Sequence, residues 1–209
     1  MKLRGLYAIT PEALGTEALI AAVSAALDGG AAVLQYRNKQ ADAATRREQA
    51  GALLALARKS GVPLIVNDDV ELAERIDADG VHVGRDDGAV AAVRRKLPGK
   101  LLGVSCYASV ELARAAVAAG ADYVAFGSVF PSPTKPQAVR APLSLFREAR
   151  ALGVPLVAIG GITTGNAHQL VDAGADCIAV ISDLFGAPDV RARAAEFARL
   201  FAISPAISP

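Results

Sequence analysis

The chain has 209 residues, 53% of them hydrophobic, and its 22 Lys and Arg against 21 Asp and Glu leave a net charge of +1. With 5% aromatic residues and no basic run, it lacks the clustered cations and stacking rings of a nucleic-acid-binding surface, and no stretch reaches the roughly 18 uninterrupted apolar residues of a membrane span. Its length suits one parallel α/β domain, since barrels of that kind run to roughly 200–250 residues.

The opening "MKLRGLYAIT" carries charge but no long apolar core of a signal peptide, so a cytoplasmic chain is expected. Its apolar part (2–10) is the first β-type run. "TEALIAAVSAALDGG" (16–30) follows as a helix ending in glycines that suit a C-cap. The second run, "GGAAVLQYR" (29–37), leads to "ADAATRREQAGALLALARKSG" (41–61), whose leucines lie on one helical face and charges on the other. Then come "GVPLIVND" (61–68) with a helix near 69–76, "DADGVHVGR" (77–85) with a helix near 86–96, and "GKLLGVSC" (99–106) with a helix near 109–119. The last three pairs are "AGADYVAFGS" (119–128) with 142–152, "GVPLVAIGG" (153–161) with 163–173, and "AGADCIAVIS" (173–182) with 188–201. The tail "AISPAISP" (202–209) reads as a frayed, disordered end.

The eight runs are rich in Val, Ile and Leu without strict alternation, as expected of strands covered on both sides. Strand then helix, eight times, fits either an open doubly wound sheet or a closed barrel. Eight units in 209 residues with no long extra segment favour closure, giving a single-domain α/β (β/α)8 TIM barrel over 1–201. The two cysteines, Cys106 and Cys177, stand far apart in no metal-binding spacing, and reduced thiols are expected.

Polar residues gather where the runs end: Gln35, Arg37 and Lys39; Asn67, Asp68 and Asp69; Arg85, Asp86 and Asp87; Ser105; "FPSPTKP" (130–136); Gly160 and Gly161; Ile181 and Ser182. In a parallel barrel these ends share one face, the face of the active site. Gln35, Arg37 and Lys39, two apart, lie on one side of an extended chain, with Tyr36 and Asn38 turned away. Asp68 and Asp87, from neighbouring strands, are placed to share a cation, and Mg²⁺ takes one or two carboxylates with waters and phosphate oxygens. Asp69 and Asp86 read more readily as helix-capping acids, and the same reading is open for Asp87. The glycines after the seventh run allow close approach to a phosphate, the use this architecture makes of its last two loops, or else form a tight turn into a helix capped by Thr163 or Thr164. Arg37, Lys39 and Lys135 supply more positive charge than one phosphate monoester needs, so a diphosphate and a separate phosphate are inferred. A lone strand histidine is usually a hydrogen-bonded core residue, and His82 stays outside the expected site. His168 is expected at the surface, and Tyr7 and Thr10 are weak candidates for lining the pocket.

Taken together, "GLYAIT", "LQYRNK", "VNDD", "ADGVHVGRDD", "GVS", "ADYVAFGSVFPSPTKP", "VAIGGIT" with a later Asn, and "GAD" with "IAVIS" make the chain resemble thiamine-phosphate synthase from the first run to the last. The resemblance implies an enzyme that joins 4-amino-2-methyl-5-hydroxymethylpyrimidine diphosphate to a thiazole phosphate or its carboxylated form, through a Mg²⁺-assisted dissociative substitution. It implies that Gln35, Arg37, Lys39, Asn67, Ser105 and Lys135 contact the pyrimidine diphosphate, with Arg37, Lys39, Ser105 and Lys135 catalytic. It further implies that Asp68 and Asp87 bind Mg²⁺, and that Ser132, Pro133, Thr134, Gly161, Ile181 and Ser182 hold the thiazole phosphate. Three positions depart from the family pattern: Pro11 stands for an acid, Arg85 for a glutamine, and Cys106-Tyr107 replace a stretch that often carries histidine. The partners implied are small molecules, with no nucleic acid and no membrane; homo-oligomerisation is left open. A thiazole tautomerase-like barrel would not need Arg37, Lys39, Asn67, Asp68 and Asp87, whereas a non-catalytic phosphate-binding barrel is poorly separated by sequence.

Overall fold

The computed structural model describes residues 3–84, 87–131 and 140–203. Its strands are β1 (Gly5–Ile9), β2 (Ala31–Tyr36), β3 (Leu64–Asn67), β4 (Gly80–Val83), β5 (Leu101–Tyr107), β6 (Tyr123–Phe126), β7 (Leu156–Ile159) and β8 (Cys177–Val180). Each pairs in parallel with the next, and β1 pairs with β8, so the sheet closes as expected. The helices are α1 (Thr16–Asp28), α2 (Ala43–Lys59), α3 (Val70–Arg75), α4 (Val90–Lys96), α5 (Val110–Ala118), α6 (Ser144–Ala149), α7 (Ala167–Ala173), α8 (Ser182–Phe185) and α9 (Val190–Ile203).

The strands look uniformly apolar, yet their side chains divide with the period of two that a pleated strand imposes. Leu6, Ala8, Leu34, Tyr36, Leu64, Val66, Val81 and Val83 join the large cluster between barrel and helices. Tyr7, Ile9, Val33, Ile65, Tyr123, Val157 and Cys177 form a separate, smaller cluster. It fills the barrel interior, because these residues alternate along the strands with those of the first. The lumen is thus a packed plug, and polar chemistry is left to its upper end.

The lower rim explains the recurring Ala-Asp before β4, β6 and β8. Asp79, Asp122 and Asp176 each accept, through Oδ2, the backbone N–H of Leu64, Leu102 and Leu156 at 2.8, 2.8 and 2.9 Å. In return the backbone N–H of each acid donates to the carbonyl of the same leucine. Arg94 also pairs with Asp122, and Arg150 with Asp176. Each acid thereby ties the start of one strand to the start of its neighbour.

The upper rim departs from the expected helix starts. α4 begins at Val90, four residues late, because Asp87 turns back to accept the Gly84 N–H at 2.7 Å and does not cap the helix. α7 begins at Ala167, and neither Thr163 nor Thr164 caps it. Asn166 instead accepts the Thr163 N–H and donates to the Gly161 carbonyl, closing the loop upon itself. Asp69 does cap α3, accepting the Leu72 N–H at 2.9 Å. The short α8 was not anticipated, and α9 continues to Ile203, two residues past the expected boundary at 201.

Candidate functional site

The end of β2 behaves as its spacing predicts. Gln35 is buried in the lumen and donates from Nε2 to the Tyr7 hydroxyl at 2.8 Å. Tyr36 and Asn38 turn outward, and both bond Gln49 Oε1 on α2. The turn after Tyr36 is stitched to β1 by Thr10, whose Oγ1 accepts the Arg37 N–H at 2.8 Å and lies 3.0 Å from the Arg37 carbonyl. Thr10 is therefore a clasp beneath the loop. Arg37 pairs with Glu12 and Lys39 with Asp68 Oδ2 at 2.7 Å. Glu12, one position after Pro11, places an acid beside this arginine that the sequence reading overlooked.

Asp68 sits where β3 turns into α3. Its backbone N–H donates to the His82 carbonyl of β4 at 2.8 Å, and its φ of 63° lies in the left-handed region that few residues other than Gly, Asn and Asp enter readily. Crossing over β4 in this way brings its carboxyl within hydrogen-bonding reach of Asp87. Burial, with Asp68 as a second cause, pushes the Asp87 carboxyl above the usual carboxylate range. Two acids in contact, with Lys39 beside them, are poised for a divalent cation: the ion would relieve their repulsion, and both offer the hard oxygen ligands that Mg²⁺ prefers. Among the described residues no group of three His, Cys, Asp or Glu is placed to ligate a metal. Of the described residues, Asp68 and Asp87 are the two carboxylates that would hold a cation here, with water and substrate completing its shell. Beside the pair opens a cleft of about 280 Å³ lined by Lys39, Asn67, Asp68 and Arg46, among others. Arg46, absent from the sequence reading, contacts Asp69 at 3.3 Å.

Ser105 is partly open on β5 and is held from below. Its Oγ lies 2.9 Å from His82 Nε2, whose Nδ1 lies 3.1 Å from the Tyr123 hydroxyl. His82 is indeed a hydrogen-bonded core residue, but it is bonded to a candidate site residue. Burial lowers its pKa to about 4, against a smaller opposing pull from Asp68, so the ring is neutral at pH 7. The signal for this contact lay in register: His82 pairs with Gly103, and Gly103 with Tyr123, across three strands.

On the opposite side the described residues are held by backbone hydrogen bonds. Val129 and Phe130 donate to the carbonyls of Ile159 and Gly160 at 3.1 and 3.0 Å, and the Ala141 N–H returns to the Ser128 carbonyl at 2.9 Å. Gly161, with φ 64°, backs against this segment: a Cβ there would lie 2.4 Å from the Pro131 carbonyl oxygen. The glycine is thus required first by packing of the β6 loop. Ile181 and Ser182 stand at the β8 end, where α8 begins. Ser132, Pro133, Thr134 and Lys135 lie outside the described residues, as do Arg85 and Asp86. His168 is exposed on α7, as expected, and both cysteines are buried and free. No helix among the described residues is long and apolar enough to cross a membrane.

Residues 6–184 match the family described as thiamine monophosphate synthase. The chain is 59% identical over 203 residues to the thiamine-phosphate synthase of Thiobacillus denitrificans, covering 96% of each chain. It is 60% identical over 202 residues to that of Aromatoleum aromaticum, covering 96% of this chain and 97% of the relative. Among solved structures, thiamine phosphate pyrophosphorylase from Pyrococcus furiosus superposes with a TM-score of 0.87 at 36% identity, covering 96% of both chains.

Proposed function

The chain belongs to the thiamine monophosphate synthase family, and from that premise we propose how its mouth divides the reaction between two substrates. The chain is a transferase of thiamine biosynthesis: it condenses the pyrimidine diphosphate with the thiazole phosphate to give thiamine phosphate, with release of pyrophosphate. The observation that carries the division is the contact between Asp68 and Asp87 beside Lys39, on the side of the mouth that also bears Arg37, Asn67 and Ser105.

In this reading Asp68 and Asp87 hold Mg²⁺. The ion, when bound, neutralises charge on the diphosphate as it leaves. Lys39 exchanges Asp68 for a diphosphate oxygen, and Arg37 exchanges Glu12 likewise; both are charge-assisted contacts that strengthen as negative charge builds on the leaving group. Lys135 joins them from the β6 loop. Gln35, Asn67 and Ser105 orient the pyrimidine ring through hydrogen bonds. The methylene carbon–oxygen bond breaks first, the pyrophosphate takes the electron pair, and the thiazole nitrogen captures the resulting cation. Ser132, Pro133 and Thr134, with Gly161, Ile181 and Ser182, seat the thiazole phosphate. No nucleophilic side chain is needed, which suits a site built from cations and amides.

The test is direct. Purified protein, Mg²⁺, the pyrimidine diphosphate and the thiazole phosphate should yield thiamine phosphate and pyrophosphate in equal amounts. Failure to form product would overturn the reading. Product without dependence on Mg²⁺ would overturn the metal assignment alone.

A further inference from the structure

Beneath the mouth, five side chains from five strands form one continuous hydrogen-bonded line. It runs from Gln35 Nε2 to Tyr7 Oη (2.8 Å), Tyr123 Oη (2.8 Å), His82 Nδ1 (3.1 Å) and, through His82 Nε2, to Ser105 Oγ (2.9 Å). The line joins the two sides of the proposed pyrimidine pocket through the floor of the barrel. Its members are packed: the Tyr7 and Tyr123 rings lie 6.1 Å apart, and His82 stacks on Tyr123 at 5.6 Å. Gly103 makes the space, since a Cβ there would fall 2.0 Å from Tyr123 Cζ.

We propose that Tyr7, Tyr123 and His82 are positioning residues, forming a one-way hydrogen-bond chain that fixes His82 as its neutral Nε2–H tautomer and presents the Ser105 hydroxyl as a donor to the pyrimidine substrate. The direction follows from counting hydrogens. A phenol has one hydrogen, and a neutral imidazole has one N–H. The Tyr7 oxygen accepts from Gln35, so its own hydrogen, buried, goes to Tyr123. The Tyr123 hydrogen then goes to His82 Nδ1, which must be bare. Nε2 therefore carries the proton and donates to Ser105 Oγ. With its oxygen already receiving that bond, Ser105 keeps its hydrogen for a substrate acceptor, and Gln35 keeps Oε1 as its remaining acceptor. The two ends of the chain offer opposite polarity, one donor and one acceptor, to one ring. The reverse direction requires the Gln35 amide to be turned over, and it would make Ser105 donate downward to His82. The inference rests on the reading that Ser105 contacts the pyrimidine diphosphate.

The direction is measurable without turnover. The chain has two histidines, so nitrogen NMR of the full-length protein labelled at histidine, with His168→Gln used for assignment, resolves His82. A bare Nδ1 and a protonated Nε2 are expected; a protonated Nδ1 would overturn the proposal. Tyr123→Phe keeps the ring and removes the donor, and should shift His82 away from the pure Nε2–H form; an unchanged tautomer would contradict the chain. In turnover, His82→Leu should lower kcat on the order of 10- to 100-fold, the usual loss for one buried hydrogen bond. KM for the thiazole phosphate should not move, and His82→Gln, which restores a donor near Ser105, should recover most of kcat. Equal kcat in wild type and His82→Leu would sink the proposal. If wild type itself makes no thiamine phosphate, the assigned reaction fails, while the tautomer measurement still decides the direction of the chain.

Discussion

The two rims of the barrel use aspartate in opposite ways. On the lower rim Asp79, Asp122 and Asp176 each accept a backbone N–H from the neighbouring strand, and Asp122 and Asp176 also take an arginine. On the upper rim Asp68 and Asp87 face each other. An acid surrounded by donors is at rest, and its work is to hold strands in register. Acids pressed against one another are held at a cost that a cation removes. The same contrast runs across the mouth among the described residues: the β2 to β5 side carries paired side-chain charges, Arg37 with Glu12 and Lys39 with Asp68, whereas Val129, Phe130 and Ala141 on the β6 to β7 side are tied by backbone hydrogen bonds.

Substitutions that isolate one rim at a time can break this contrast. Asp68→Asn should cost the most in activity, on the order of 10²- to 10³-fold in kcat, the scale of removing one element of transition-state charge stabilisation. Its unfolding midpoint should stay close to that of wild type, because the relieved repulsion with Asp87 offsets the loss of the exposed Lys39 pair. Asp176→Ala should do the reverse. It leaves the Leu156 N–H without its acceptor and Arg150 with only the Gly174 carbonyl, costing roughly 1–3 kcal/mol of stability by denaturant unfolding, while kcat per folded molecule is unchanged. Equal losses of activity in both variants would erase the distinction between rims.

A pH series sharpens the picture of the floor between them. The His82 pKa falls from 6.5 to about 4 on folding, so the unfolded chain binds the extra proton first. Stability from this group is therefore complete above about pH 6.5 and declines as pH falls toward 4, by up to roughly 3 kcal/mol. Denaturant midpoints between pH 4.5 and 7.5 should show this slope in wild type and lose it in His82→Gln. Gly161→Ala tests the other side of the mouth: the positive φ alone costs about 1 kcal/mol, and a Cβ 2.4 Å from the Pro131 carbonyl oxygen and 2.7 Å from that of Phe130 forces the loop backbone to shift as well. It should raise KM for the thiazole phosphate more than KM for the pyrimidine diphosphate; the opposite pattern would reassign that side of the mouth.

Much of the barrel was legible because each strand carries its own boundary signals and each helix its own amphipathic face. The facing of Gln35, Arg37 and Lys39 followed from the period of two, and the approach of Asp68 to Asp87 from their places after adjacent strands. What escaped the sequence depends on register and on loops reaching across the rim. Glu12 beside Arg37 joins the loops after β1 and β2, and Asn166 closes its own turn, where the alternative reading had a threonine cap. The line from Gln35 through Tyr7, Tyr123 and His82 to Ser105 needs five strands aligned to within one residue, which local propensity does not encode. Gly161, read from the sequence as part of a phosphate seat, also meets a packing requirement of the β6 loop that the sequence does not reveal. Lys135 and the residues from Ser132 to Thr134 remain proposals drawn from the family motif.

The central claim is that the paired acids of the upper rim exist to hold the metal that carries the leaving diphosphate. Measuring thiamine phosphate formation against Mg²⁺ concentration, for wild type and Asp68→Asn, tests it most directly. The account predicts that wild-type activity vanishes with chelator, returns with Mg²⁺, and that Asp68→Asn needs a far higher Mg²⁺ concentration for whatever activity it retains. Chelator-resistant turnover, or the same Mg²⁺ dependence in both proteins, would contradict it.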